Sequence, residues 1–378
     1  MSTLVVGGGV QIGVSFFESA TNLKSNDIDF FFLLSTPIYN NLSKEKLSRG
    51  NFVLIKDSPA KIFTGWKSRK KILEVEKNAD FDLVYSLGFP SYVRFKNIEI
   101  GRYTNPWEIF PSKLAWRSLP IFERLLVWSK AKYRIQWSKN LIYYETQTIQ
   151  AKLAIKKLLK LSSSQIKVIP NSYNPIFDNN SQIYRQTKSS NKRVVFCLSA
   201  PHKHKNLEII PNVAKHLITI APDLSVKFIL TIPFDNSLWI KIKEKARKMN
   251  VEKNIENIGT LNLKDCVSQY NNSNAVFLPT LLEVFSATYL EAMAMKKPII
   301  TSDLNFAHEC CGNAALYFNP ESSFSAAEAI NSVIKDKSTS TRLVQNGTIQ
   351  LKKFPTSLSK HNLIFDWFRE IVNSEAVR

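Results

Sequence analysis

The stretch AVFLPTLLEVFSATYLEAMAMKKPIITSD, residues 275–303, constrains the fold of this 378-residue chain more than any other. Four apolar residues, Ala275 to Leu278, read as a buried strand, and Pro279 stops it because proline has no N–H for a central ladder. A short loop then carries Glu283, Phe285, Ser286 and Ala287. A helical run from about Thr288 to Met295 follows, ended by Lys296 and Lys297 with Pro298 beyond, and Ile299 to Thr301 reads as a second strand. Strand, loop, helix, strand is the unit with which α/β proteins hold phosphorylated ligands. The first helical turn offers unpaired N–H groups and the positive end of the dipole. Two carboxylates, Glu283 and Glu291, bracket that turn. Each also has an ordinary reading: Thr288 and Glu291 have the spacing of a capping box, and Glu283 fits a solvated loop acid.

The same alternation runs through the rest of the chain. Before residue 170 the strand candidates are 3–6, 28–34, 52–55, 83–87, 98–101, 141–144 and 166–169. A polar stretch at 171–192 interrupts the pattern, which restarts at 194–198, 226–231 and 255–259 and ends at 315–318. Helical segments are expected at about 207–218 and 238–249. Apolar runs of this length between helices indicate largely parallel sheets covered on both faces. The length suits two doubly wound α/β domains. The expected divisions are 1–175, a linker at 176–192, 193–355, and a C-terminal helix within 356–378 that crosses back to the first domain.

Two motifs invite readings that their spacing refuses. Gly7, Gly8 and Gly9 after the first apolar run suggest a dinucleotide fingerprint, but position 12 is Ile and the next glycine is Gly13. Asp80-Phe81-Asp82 spells a D-x-D, yet it lies just before a strand, where Asp commonly caps a turn. No metal is assigned to it. The four cysteines, Cys197, Cys266, Cys310 and Cys311, show neither a disulfide framework nor metal spacing. Reduced thiols in a cytoplasmic protein are therefore expected, and no apolar run is long enough for a transmembrane helix.

The formal net charge is +20, with +14 in residues 1–190 and +6 in 191–378. Such asymmetry implies an anionic partner, and without a nucleic-acid motif a membrane surface is favoured over nucleic acid. From Lys113 to Lys139, Trp116, Phe122, Trp128, Tyr133 and Trp137 interleave with Arg117, Arg124, Lys130, Lys132 and Arg134. That mixture suits an anionic inner-membrane surface, with Lys67, Arg69, Lys70 and Lys71 in support. The ordinary alternative is a long helix with core aromatics and a solvated basic face. Gly101 to Trp107, GRYTNPW, closes a strand candidate at the end where α/β sheets bind ligands, so Thr104, Asn105 and Trp107 are expected to meet an acceptor.

The segment 275–303 resembles the donor-site signature of the group 1 (family 4-like) retaining glycosyltransferases of the GT-B fold. The matching positions are Pro279-Thr280, Glu283 with Glu291, Glu291-Ala292-Met293-Ala294, and Pro298 to Ser302. Val168-Ile169-Pro170-Asn171 is similar to the family's crossing between domains, and His204-Lys205-Asn206-Leu207 to its diphosphate-binding lysine. The resemblance implies two facing Rossmann-like domains and a nucleotide-sugar donor held by the second. In it Lys205 and the N–H groups around Ser286, Ala287 and Thr288 meet the diphosphate, Glu283 faces the sugar, and Glu291 takes the ribose hydroxyls. Phe285, Asn206 and the Gly259-Thr260 loop complete the donor side, and Gly8 and Gly9 approach it from the first domain. Two family positions differ: Ala200 stands where an Arg is common, with Lys203, His202 or His204 as replacements, and the first half of the chain has no His. The implied activity is retaining transfer of a hexose-type sugar to a glycan or lipid-linked acceptor in bacterial surface-polysaccharide assembly. No cofactor and no divalent metal are expected, on the inner face of the plasma membrane. A nucleotide-sugar epimerase or a non-catalytic sugar-nucleotide-binding protein are the alternatives.

Overall fold

The computed structural model describes residues 1–5, 8–23, 27–110, 112–139, 141–178 and 192–376. The chain divides into two compact units. The first comprises Met1–Phe110, Leu125–Pro170 and Ser357–Arg378; the second comprises Pro111–Arg124 and Asn171–Thr356. The sequence-based division put 111–124 with the first domain. Side-chain contacts draw it to the second: Ser112 Oγ donates to Leu281 O at 3.4 Å, and Arg117 lies 3.7 Å from Glu321. Most of the expected linker, 179–191, lies outside the described residues.

In the first unit, β1 (Phe31–Ser35) pairs with β2 (Asn51–Ile55), while β3 (Leu83–Ser86), β4 (Ile98–Arg102), β5 (Tyr143–Thr146) and β6 (Ile166–Val168) form a separate four-stranded sheet in that order. All these pairs are parallel. The strand expected at 3–6 is not formed by its described residues. Instead Ser35 Oγ donates to Leu4 O at 2.5 Å, and Thr3 Oγ1 donates to Gly88 O. A cavity of about 710 Å³ separates the edges of β1 and β3. The chain then enters the helix Gly8–Thr21, where a Cβ on Gly13 would come 2.4 Å from Ile38 Cδ1. Gly13 thus serves close helix packing, which accounts for a glycine at this place without a dinucleotide.

The second unit has one six-stranded parallel sheet. Its strands are β7 (Lys192–Cys197), β8 (Ser225–Leu230), β9 (Ile255–Asn257), β10 (Ala275–Leu278), β11 (Ile299–Ser302) and β12 (Ala315–Phe318), in the order β12-β11-β10-β7-β8-β9. Period-two alternation feeds two cores. Val195, Cys197, Ala275 and Phe277 face one, and Phe196, Val276 and Leu278 face the other. Both faces are buried, so the strands read as continuous apolar runs rather than alternating ones. The strand order reverses between β7 and β10. Such a switch point opens a crevice beyond the carboxyl ends of the two strands, the place where doubly wound sheets bind ligands.

The region from Lys113 to Lys139 is two helices, Lys113–Arg117 and Ile121–Ser138, broken at Leu119-Pro120. Its aromatics and cations divide. Tyr133 and Trp137 pack on Tyr92, with ring centroids 5.7 and 6.1 Å away, and Arg134 pairs with the buried carboxylate of Glu108. Those three side chains face protein, contrary to the membrane reading, whereas Phe122 and Trp128 are exposed. Among the described residues no helix is long and apolar enough to cross a membrane. All four cysteines are free and buried.

Candidate active site

Two loops carry the side chains at the switch point. After β7 the chain makes a 3-10 turn, Lys203–Lys205, and Asn206 follows it with φ of 55°, a left-handed conformation that Asn tolerates. After β10 comes the loop 279–286. A backbone bond joins the two, Leu281 N donating to His204 O at 2.7 Å. With the loops tied there, Lys205 Nζ donates to Glu283 Oε2. The two side chains are 14% and 18% exposed, so the pair is mostly dry yet reachable.

The helix beyond this loop is Ala287–Ala294, with Ser286 at its N-cap. Thr288 lies inside the helix, so the capping box proposed for Thr288 and Glu291 does not form. The Ser286 side chain makes no capping bond, leaving the first-turn N–H groups without that partner. The amino end of this helix, with the positive end of its dipole, thus follows Glu283 closely in the chain.

Glu291 points elsewhere. Its Oε2 accepts from Tyr270 OH at 2.9 Å, and burial pushes its carboxyl up to about 7. Tyr270 is fully buried against Phe196 and Phe177. Sequence reasoning missed this tyrosine, and nothing in the pattern around helix Leu263–Asn271 marks it. Of the three groups expected to converge, the structure brings Lys205 and Glu283 into contact and bonds Glu291 to Tyr270.

The residues suggested as replacements for the absent Arg at Ala200 do not supply a free cation. Lys203 pairs with Glu208 at 2.7 Å. His202 and His204 stack on one another with centroids 5.4 Å apart. Burial, reinforced by the Lys205 charge, lowers both imidazoles, His204 to about 3, which keeps them neutral near pH 7. Phe285 packs edge-on against Phe354 at 5.8 Å. Gly259 has φ of 76° and lies beside the exposed ring of Phe234, and Thr260 next to it is exposed.

Gly8, Gly9, Thr104, Asn105 and Trp107 belong to the first unit. Gly8 and Gly9 open the helix Gly8–Thr21, and a Cβ on Gly8 would meet nothing within 4 Å. Thr104 is exposed, and Asn105 Oδ1 accepts from Trp107 N at 3.1 Å, capping the short helix Pro106–Ile109. The first unit does contain a histidine, contributed by the C-terminal helix Ser357–Ala376. That residue, His361, is buried and 2.6 Å from Ser19 Oγ, with its imidazole lowered to about 3 by burial.

Residues 179–350, which hold the whole switch-point sheet and both loops, match the family described as glycosyl transferases group 1. That match covers somewhat less than half of the chain, which over these residues is similar to the group 1 glycosyltransferases. The O-antigen chain mannosyltransferase RfbU of Salmonella typhimurium is 24% identical over 193 residues. The chain spans about half the length of that relative, and the match covers 50% of each. A glycosyltransferase from Rickettsia africae superposes with a TM-score of 0.72 at 14% identity, covering 97% of this chain and 96% of that one. Anabaena Alr3699/HepE, solved in complex with UDP and glucose, superposes with a TM-score of 0.71 at 13% identity, covering 96% of each chain. The chain has the GT-B fold of these glycosyltransferases.

Proposed function

We propose that this chain is a group 1 glycosyltransferase that moves a hexose-type sugar, with retention, from a nucleoside diphosphate sugar to a hydroxyl of a glycan or lipid-linked acceptor. The reading is supported above all by the contact of Lys205 with Glu283 at the carboxyl ends of β7 and β10, beside the uncapped turn at Ser286. Breaking an anomeric C–O bond puts negative charge on the departing diphosphate. Fixed donors aimed at that charge stabilise the transition state more than the ground state. Lys205 Nζ and the N–H groups of Ala287 and Thr288 do this work. Glu283 then exchanges its bond to Lys205 for hydroxyls of the donor sugar and faces the oxocarbenium-like carbon. The departing phosphate oxygen takes the proton of the acceptor hydroxyl. Glu291 accepts from the ribose hydroxyls through its carboxylate, a role in which the Tyr270 bond is shared or opened.

In this reading Lys205 and the helix end neutralise the phosphates, so no divalent metal is needed. The likeness to an O-antigen mannosyltransferase supports a place in surface-polysaccharide assembly on the inner face of the plasma membrane. The test is incubation with a panel of nucleotide sugars, with and without glycan acceptors. Acceptor-dependent release of the nucleoside diphosphate is expected, and Glu283→Ala abolishes it while nucleoside diphosphate still binds. Conversion of the nucleotide sugar without acceptor would instead establish the epimerase. Wild-type transfer by Glu283→Ala would overturn the assignment of Glu283.

A further inference from the structure

A second concavity in the same unit has no part in this chemistry. It encloses about 430 Å³ between the loop Arg117 to Pro120, the Lys203–Glu208 region and one face of helix Ser237–Lys248. Four cations line it, Arg117, Lys203, Lys241 and Lys245, against one acid, Glu208. Glu208 is already engaged: its carboxylate holds Lys203 at 2.7 Å and its backbone oxygen accepts from Lys245 Nζ at 3.0 Å. Burial lowers the Lys245 ammonium, against a smaller opposing pull from Glu208. Arg117 reaches Glu321 only at 3.7 Å, with both side chains exposed, so solvent screens that pair. The loop wall is braced, since Arg124 donates to Leu119 O at 2.8 Å and to Arg117 O at 3.2 Å.

Exposed apolar side chains follow. Directly after the wall, Ile121 and Phe122 are 82% and 71% exposed, and Leu125, Leu126 and Trp128 stay exposed further along the same helix. A pocket of convergent ammonium and guanidinium donors suits a phosphoryl group, whose charge is spread over several acceptor oxygens. Large exposed side chains directly after the wall in the chain serve no free phosphate, but they suit a phosphate that arrives with hydrocarbon attached. We propose that this pocket binds the phosphoryl headgroup of a membrane lipid, with Ile121 and Phe122 entering the interface beside it. The inference deepens the lipid-linked acceptor reading and rests on it for its purpose.

Flotation with phosphatidylcholine vesicles, with and without phosphatidic acid, tests the proposal on the full chain. Wild type is expected to bind only the phosphatidic acid vesicles, and inorganic diphosphate should compete. Arg117→Glu with Lys241→Glu should weaken vesicle binding about tenfold or more. The charge-matched control Lys243→Glu with Lys248→Glu, at exposed positions outside the pocket on the same helix, should stay within about twofold of wild type. Ile121→Ser with Phe122→Ser should lose the vesicles while keeping the inorganic diphosphate binding that Arg117→Glu with Lys241→Glu removes, which separates a lipid headgroup from free phosphate. Equal loss in both charge variants, or vesicle binding untouched by the Ile121/Phe122 variant, would overturn the proposal. Nucleoside diphosphate binding, measured in parallel, should be unchanged in every variant. Its absence from wild type counts against the donor site alone and leaves the pocket result standing.

Discussion

Replacing Lys205 with Ala and Glu283 with Gln, singly and together, probes the contact on which the mechanism turns. Their exposures of 14% and 18% place the pair between a surface ion pair and a buried one. Surface pairs contribute about 0–1 kcal/mol, whereas breaking a buried pair costs about 3–5 kcal/mol. Lys205→Ala should therefore destabilise the protein by about 1–3 kcal/mol, since it strands the Glu283 carboxylate near the helix-bearing loop. Glu283→Gln keeps size and hydrogen-bond acceptance, so it should cost less. In turnover, loss of a fixed donor to the developing diphosphate charge should cost about 10²–10³ in kcat. The two residues bond directly, so the double variant should fall well short of the product of the single losses. Thermal melts and single-turnover transfer with saturating donor measure both quantities. Wild-type kcat in Lys205→Ala, or strictly multiplicative losses, would refute the reasoning.

Glu291 predicts a pH dependence. With its carboxyl raised to about 7, the folded protein keeps a proton between about pH 4.5 and 7 that the unfolded chain has lost. Its contribution to stability is full below about pH 4.5 and is lost as pH rises to about 7, by at most about 3 kcal/mol. Wild type should accordingly lose melting temperature relative to Glu291→Gln over that window, and its nucleoside diphosphate affinity should rise from about pH 6 to 8 while the variant stays flat. At Gly259, with φ of 76°, an added Cβ would come 2.8 Å from the Phe234 ring. Gly259→Ala should cost about 1–3 kcal/mol in chemical denaturation, and adding Phe234→Ala should recover all but the roughly 1 kcal/mol of left-handed strain. Exhaustive chelation of divalent metal should leave the transfer rate within about twofold of untreated enzyme, a change of under about 0.5 kcal/mol in the barrier.

The second unit was the more legible half because a parallel sheet buried on both faces writes its strands as uninterrupted apolar runs. β10 and β12 fall on the residues read from sequence. The adjacency of Lys205 and Glu283 followed from the motif, but the bond Leu281 N to His204 O that ties their loops uses backbone atoms, which no residue pattern records. The turn of Glu291 toward Tyr270 was invisible for a similar reason: a partner 21 positions away on another helix leaves no local spacing. In the first unit, Leu4 and Thr3 are apolar and β-branched as a strand requires, yet their hydrogen bonds go to Ser35 and Gly88 rather than to a ladder. The basic-aromatic region divides because Arg134 and Tyr133 have the composition of an interface and the contacts of a core. Its amino end, Ile121 and Phe122, is where exposure survives.

The central claim is that a nucleoside diphosphate sugar lies with its diphosphate between Lys205 and the turn at Ser286. Amide shifts from NMR titration of the labelled protein with a nucleoside diphosphate read this directly. The account predicts that the largest changes fall on the N–H groups of Ala287 and Thr288 and that they vanish in Lys205→Ala. Saturable binding that shifts other amides while leaving these two still would contradict it.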